Sequence, residues 1–231
     1  MVRVSYCWLR FRSLRRSSPP PLRMNPLYFL YAQCLLLMTN ARGARVVLAL
    51  YALDLGASPL TVGLLAAAFS LMPVLLAWPA GRWADRAGAR IPMIIGAAGG
   101  TLSMLLPFLL HNLPVLFLAA LLNGAAFIAF NVAQQNAVGN ISTPENRTRN
   151  FANFTLMISL GNLFGPLLGG LAIDHLGHAL ACLMLGLCTV TGMVLLMAFG
   201  SILPGGTAAP QKGRGKLMEL LHDPLLVKVL I

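Results

Sequence analysis

The chain has 231 residues, 58% of them hydrophobic and only 10% charged, against a soluble average of about 25% charged. Its mean hydropathy of +0.77 excludes an ordinary water-soluble domain. The net charge of +11 does not indicate nucleic acid, because the basic residues are shared among connections instead of forming one patch with interleaved aromatics.

Residues 1–25 form a basic segment with Arg3, Arg10, Arg12, Arg15, Arg16 and Arg23 and the run Ser17-Ser18-Pro19-Pro20-Pro21. Without a contiguous apolar stretch this is not a signal peptide. Two readings stand: a cytoplasmic tail, or non-native translation ahead of a start at Met24. Six apolar segments follow, at about 27–53, 59–80, 91–110, 114–138, 151–173 and 179–203, each near the roughly 20 residues that cross a bilayer. Short connections rich in turn formers separate them. Between the second and third lies Gly81-Arg82-Trp83-Ala84-Asp85-Arg86-Ala87-Gly88-Ala89-Arg90, which reads as a charged, glycine-bounded loop at one membrane face. Residues 204–223 read as a cytoplasmic linker, and Pro224-Leu225-Leu226 as the start of a seventh helix, truncated at Ile231.

With the N-terminus inside, every Lys and Arg outside the spans falls on the cytoplasmic side, and the opposite face holds only Asp54 and Asp174. The four cysteines, Cys7, Cys34, Cys182 and Cys188, show no Cys-x-x-Cys spacing. His175 and His178 lack the further ligands of a metal site and read as polar loop residues. No cofactor is implied. The sequence has no HExxH, no GxSxG and no intramembrane carboxylate pair, so an enzyme is not expected.

A shift of 89 residues lays Gly81, Asp85 and Gly88 over Gly170, Asp174 and Gly177, and the first span over the fourth. Three spans separate the copies, which gives them opposite orientation. The expected fold is therefore an all-α membrane bundle of six helices (26–203) built as an inverted three-plus-three repeat, a pattern of secondary transporters.

The stretch at 81–90 resembles motif A of the major facilitator superfamily, G-x-L-A-D-R-x-G-R-R. Gly81, Ala84, Asp85, Arg86, Gly88 and Arg90 match, while Trp83 and Ala89 depart from it. The fifth span resembles motif C, G-x-x-x-G-P-x-x-G-G, through Gly161, Gly165, Pro166, Gly169 and Gly170. Read without the family, glycines four apart form a flat face for close backbone approach, and Pro166 removes a backbone donor. The resemblance implies half of a twelve-helix transporter, here the N-terminal six helices, with the C-terminal half missing from the chain. It further implies that motif A is a conformational latch between the halves and that motif C belongs to exporting antiporters. One family feature is absent: where many drug/proton antiporters place an arginine four residues before a glycine in the fourth span, Ala120 precedes Gly124.

Arg42 and Arg45 lie inside the first span, where each costs about 2.5–3.5 kcal/mol unless it faces a watery cavity. Under the shift they overlie Asn131 and Gln134, and the family's first and fourth helices line the central cavity. These four are the candidate substrate residues, with Gln135, Asn123 and Asn40 as weaker ones. No Asp or Glu lies inside a span, so the cavity is net positive. The expected function is export of a small anionic or neutral solute by alternating access, coupled to protons, from a bacterial inner membrane. The alternative is a non-transporting receptor or scaffold, or an inactive half-transporter fragment.

Overall fold

Asn25 and Ser58 start the first two helices in the computed structural model, which describes residues 25–200 and residue 203. Their side chains accept from the Leu27 and Thr61 amides (3.1 and 3.3 Å), and Pro26 and Pro59 occupy the first helical turn, where no amide is missed. Six helices follow: α1 (Pro26–Asp54), α2 (Pro59–Ala87), α3 (Arg90–Leu109), α4 (Leu113–Ile141), α5 (Arg147–Leu176) and α6 (His178–Phe199). All six are long and apolar enough to cross a membrane. Residues 1–24 of the expected tail, the linker at 204–223 and the expected helix start at 224–231 lie outside the described residues.

The stretch at 81–90 is not a loop. Helix α2 continues through it to Ala87, leaving only Gly88 and Ala89 as the connection. Nothing in residues 82–87 breaks a helix, and 29 residues rise about 43 Å, well past a hydrocarbon core of about 30 Å. Gly88 ends α2 with φ 74°, and Gly177 ends α5 with φ 83°, a left-handed backbone that suits glycine. Helix α5 likewise starts at Arg147, four residues ahead of its expected boundary.

Helix α1 is the most buried and sits against α5, α6 and α4; α3 packs on α4 and α6, and α2 on α4. Helices α2 and α5 are the least buried and present large apolar side chains such as Leu71, Val74, Trp78, Leu163 and Leu167. The core divides into two clusters. Phe29, Met38, Met93 and Phe130 anchor one, and Leu48, Phe69, Met104 and Leu116 anchor the other.

Buried polar side chains tie the helices together, as an apolar surround requires. Asn123 of α4 donates to Asn40 Oδ1 (3.1 Å) and Ser103 Oγ (3.0 Å), and Asn40 donates to the Leu185 carbonyl (3.0 Å). Four helices thus share one chain of bonds. Gln33 reaches the Gly192 carbonyl (2.9 Å), and the Thr101 hydroxyl meets that of Thr189 (3.1 Å). At one end of the bundle His178 stacks on Tyr51 (5.3 Å between ring centroids), His111 packs edge-on against the same ring (6.3 Å), and His178 Nδ1 lies 3.5 Å from Asp54. His178 is therefore the first residue of α6, placed by its stack, and not a free loop residue.

In the connection between α4 and α5, a hydrogen bond from the Thr143 side chain holds the Glu145 carboxyl below its ordinary range. A depressed carboxylate supports the fold above its unfolded pKa and loses that support as pH falls through the folded value. Thr143→Val should therefore raise the Glu145 midpoint in an NMR titration. An unchanged midpoint would rule out the hydroxyl as the cause.

Candidate functional site

Arg42 and Arg45, three residues apart on α1, project from one helix face and border a small cleft of about 10 Å³, room for about one water. Phe69 of α2 and Asn123, Gly124 and Phe127 of α4 complete its lining. The Arg45 guanidinium sits over the Phe69 ring, 5.7 Å from its centroid. Arg42 is half-buried, and its Nε is buried without a hydrogen-bond partner. Neither arginine is paired with a carboxylate among the described residues. Two positive charges therefore stand side by side without a carboxylate partner, Arg42 half-buried and Arg45 exposed.

Two close glycine contacts lie beside this cleft. A Cβ on Gly124 would lie 2.6 Å from the Phe69 carbonyl oxygen, so α4 and α2 approach closely there. A Cβ on Gly165 would lie 2.7 Å from the Thr39 carbonyl oxygen, 2.8 Å from the Gly43 nitrogen and 2.9 Å from the Arg42 Cβ. The crossing of α5 over α1 thus falls at Gly43 and Gly165, directly beside the arginines. Gly161 faces Met38 and Gly169 faces Val47 along the same seam, whereas Gly170 has nothing within 4 Å. Pro166 lies inside α5 one residue beyond the crossing.

The structure does not bring Asn131 and Gln134 to the cleft. Gln134 is fully buried and donates to the Leu30 carbonyl (2.7 Å), leaving its Oε1 without a partner. Asn131 is buried and accepts from Gln135. The reason is directional. Bonds from Asn123 to Asn40 and from Gln134 to Leu30 show that α1 and α4 run antiparallel. Positions matched by a sequence shift then fall at equal depth only near the helix midpoints. From Asn123 to Gln134 is eleven residues, about 16 Å along the axis. Asn123, a weaker sequence candidate, does line the cleft. Phe69 and Phe127 were not legible as site residues, because a phenylalanine in an apolar span carries no signal of its own.

Of the motif A residues, Gly81 has open space around it and Gly88 makes the α2–α3 turn. Arg86 and Arg90 are exposed, and Arg82 lies over the Trp78 ring at 4.7 Å.

A sequence model described as Major Facilitator Superfamily matches residues 30–231. The chain belongs to the Major Facilitator Superfamily. It is an integral membrane protein of a transporter class, not of an enzyme class. Among relatives within this superfamily, it is 24% identical over 203 residues to the quinolone resistance protein NorA of Staphylococcus aureus (strain Mu50 / ATCC 700699), covering 88% of this chain and 50% of NorA. It is 31% identical over 119 residues to multidrug resistance protein 1 of Bacillus subtilis (strain 168), covering 51% of this chain and 30% of that protein. The chain thus spans about half the length of NorA or less of these relatives. In solved structures the fold is shared with a POT family transporter in complex with 5-aminolevulinic acid (TM-score 0.72, 18% identity, 89% of this chain and 46% of that one). It is also shared with the peptide transporter POT in complex with sulfate (TM-score 0.70, 18% identity, 88% and 45%).

Proposed function

We propose that this chain is the N-terminal six-helix half of a solute exporter that works by alternating access, and that it acts with a second six-helix half. The observation that carries this reading is the cleft itself: two uncompensated guanidiniums in a superfamily member, with the glycine seam of α5 packed against their backbone. Its charge favours an anionic or neutral solute over a lipophilic cation. The similarity to NorA and to multidrug resistance protein 1, both named for resistance, supports export.

An inverted three-plus-three repeat fits the packing. Exchanging α1 with α4, α2 with α5 and α3 with α6 turns the α1–α5 pair into α4–α2 and the α3–α4 pair into α6–α1. Gly88 and Gly177, 89 residues apart, also end corresponding helices with nearly the same dihedrals. In this reading the N-terminus is cytoplasmic and the membrane is a bacterial inner membrane. Asp85, Arg86 and Arg90 latch this half to the other on the cytoplasmic side. A proton couples transport through a carboxylate outside the apolar middle of these helices, whose own Asp54, Asp85 and Asp174 stand near helix ends.

Arg42→Gln and Arg45→Gln, made singly in a version that carries both halves, should each lower export of organic anions at least tenfold, on the order of 1.4 kcal/mol, with cation export unaffected. Undiminished anion export at normal expression would sink the reading.

A further inference from the structure

We infer that the small cleft beside Arg42 holds one ordered water bridging α1, α2 and α4, and that this water replaces the amide Pro73 withholds from the Phe69 carbonyl. Such a water is present whether or not the chain transports a solute.

The first acceptor is set by the sequence. In a helix the Phe69 carbonyl looks to the amide four residues on, and position 73 is proline, which has no N–H. Pro73 is the fifteenth of the 29 residues of α2, so this carbonyl lies mid-helix, where an apolar surround supplies no bulk water. Phe69 is itself 2% exposed. Its oxygen faces Gly124, where an added Cβ would lie 2.6 Å away, with Pro73 Cδ at 3.0 Å. A glycine Cα–H is a weak donor, and a carbonyl oxygen has two lone pairs, so one remains. Phe69 and Gly124 both line the cleft.

The second acceptor follows from a chain of bonds. Asn40 donates to the Leu185 carbonyl, which fixes its nitrogen and makes its Oδ1 an acceptor. Asn123 must then present its own nitrogen to Asn40 and Ser103. Its Oδ1 takes no hydrogen bond from any described residue, and Asn123 also lines the cleft. The donor there is the Arg42 guanidinium, on the third wall.

Water is the ligand these groups share. Two acceptors require a molecule with two hydrogens, and a guanidinium requires one with a lone pair. A halide cannot donate, a metal cation would meet two guanidiniums of like charge, and about 10 Å³ admits no larger solute. Three bonds are also what a buried water typically makes.

The test is X-ray hydroxyl-radical footprinting of the whole chain in lipid nanodiscs, read by mass spectrometry. Radicals born from an ordered water mark the side chains beside it even where bulk solvent is shut out. Phe69 should be hydroxylated at least tenfold faster than Phe29, which is 1% exposed and sits in the other core cluster. Arg42→Met removes the donor and keeps an apolar stem, and Pro73→Ala returns an amide to the Phe69 carbonyl. Each should slow Phe69 labelling at least threefold, in samples shown to be folded by monodisperse elution and helical circular dichroism. Labelling of Phe69 no faster than Phe29 in the parent would overturn the water. Fast labelling that survives both variants would mark bulk solvent and overturn it too. A loss in Arg42→Met alone would remove the Phe69 carbonyl from the site and overturn the replacement of the Pro73 amide. None of these results depends on export, which the vesicle assay of the arginine variants reads separately.

Discussion

Gly165→Ala should lower the melting temperature of the detergent-solubilised chain, and Gly165→Leu should prevent its recovery as a monodisperse species in size-exclusion chromatography. The added Cβ meets two backbone atoms of α1 at 2.7 and 2.8 Å, and neither can rotate aside. Helices α1 and α5 must separate, so the cost is that of overpacking, about 1–3 kcal/mol for the methyl and more for the larger side chain. Gly161→Ala should behave similarly, because its Cβ would fall 2.3 Å from the Met38 Cβ. Gly169 is opposed most closely by a valine methyl at 3.0 Å, with the Gly43 backbone no nearer than 3.5 Å, and should tolerate alanine better. Gly170→Ala should leave the melting temperature unchanged, since nothing lies within 4 Å. The motif therefore divides into a packing seam and a glycine outside it. A uniform loss across all four substitutions would contradict that division.

Asn40→Leu should be the most damaging polar substitution. It removes the acceptor of one Asn123 bond and the donor to the Leu185 carbonyl, at a residue 1% exposed where water cannot replace either. Leaving such groups unmade costs about 1–3 kcal/mol, above the roughly 0.6 kcal/mol average for single interhelical bonds in a membrane. Thr101→Val should cost less, because Thr189 keeps its bond to the Gly186 carbonyl and no buried partner is stranded. Thermal unfolding in one detergent, with each variant set against the parent, gives the order. If Thr101→Val proved the worse of the two, the Asn40 chain would not be the hub described above.

Helix number and type were legible because about 20 apolar residues in a row admit few alternatives. Their ends were less so. Charge marks where a helix leaves hydrocarbon, not where it stops, and for that reason Arg82 to Ala87 and Arg147 to Asn150 read as connections although they are helical. Gly88 and Gly177, which do stop their helices, stood in the sequence as glycines among many. Arg42 and Arg45 stood out because an intramembrane arginine needs a reason. Gln134 stood out by the same logic, yet its reason is a backbone carbonyl on α1. A polar residue in a span announces that it has a partner without saying whether the partner is protein or ligand.

Thr101 and Thr189 are each the twelfth residue of their helix, α3 and α6, counted from Arg90 and His178. The 89-residue shift, however, lays Thr101 over Val190, one residue beyond Thr189, so the two hydroxyls do not occupy matched positions of the repeat. A hydroxyl both donates and accepts, and the 3.1 Å pair therefore ties α3 to α6 with one kind of group and no charge placed in the membrane.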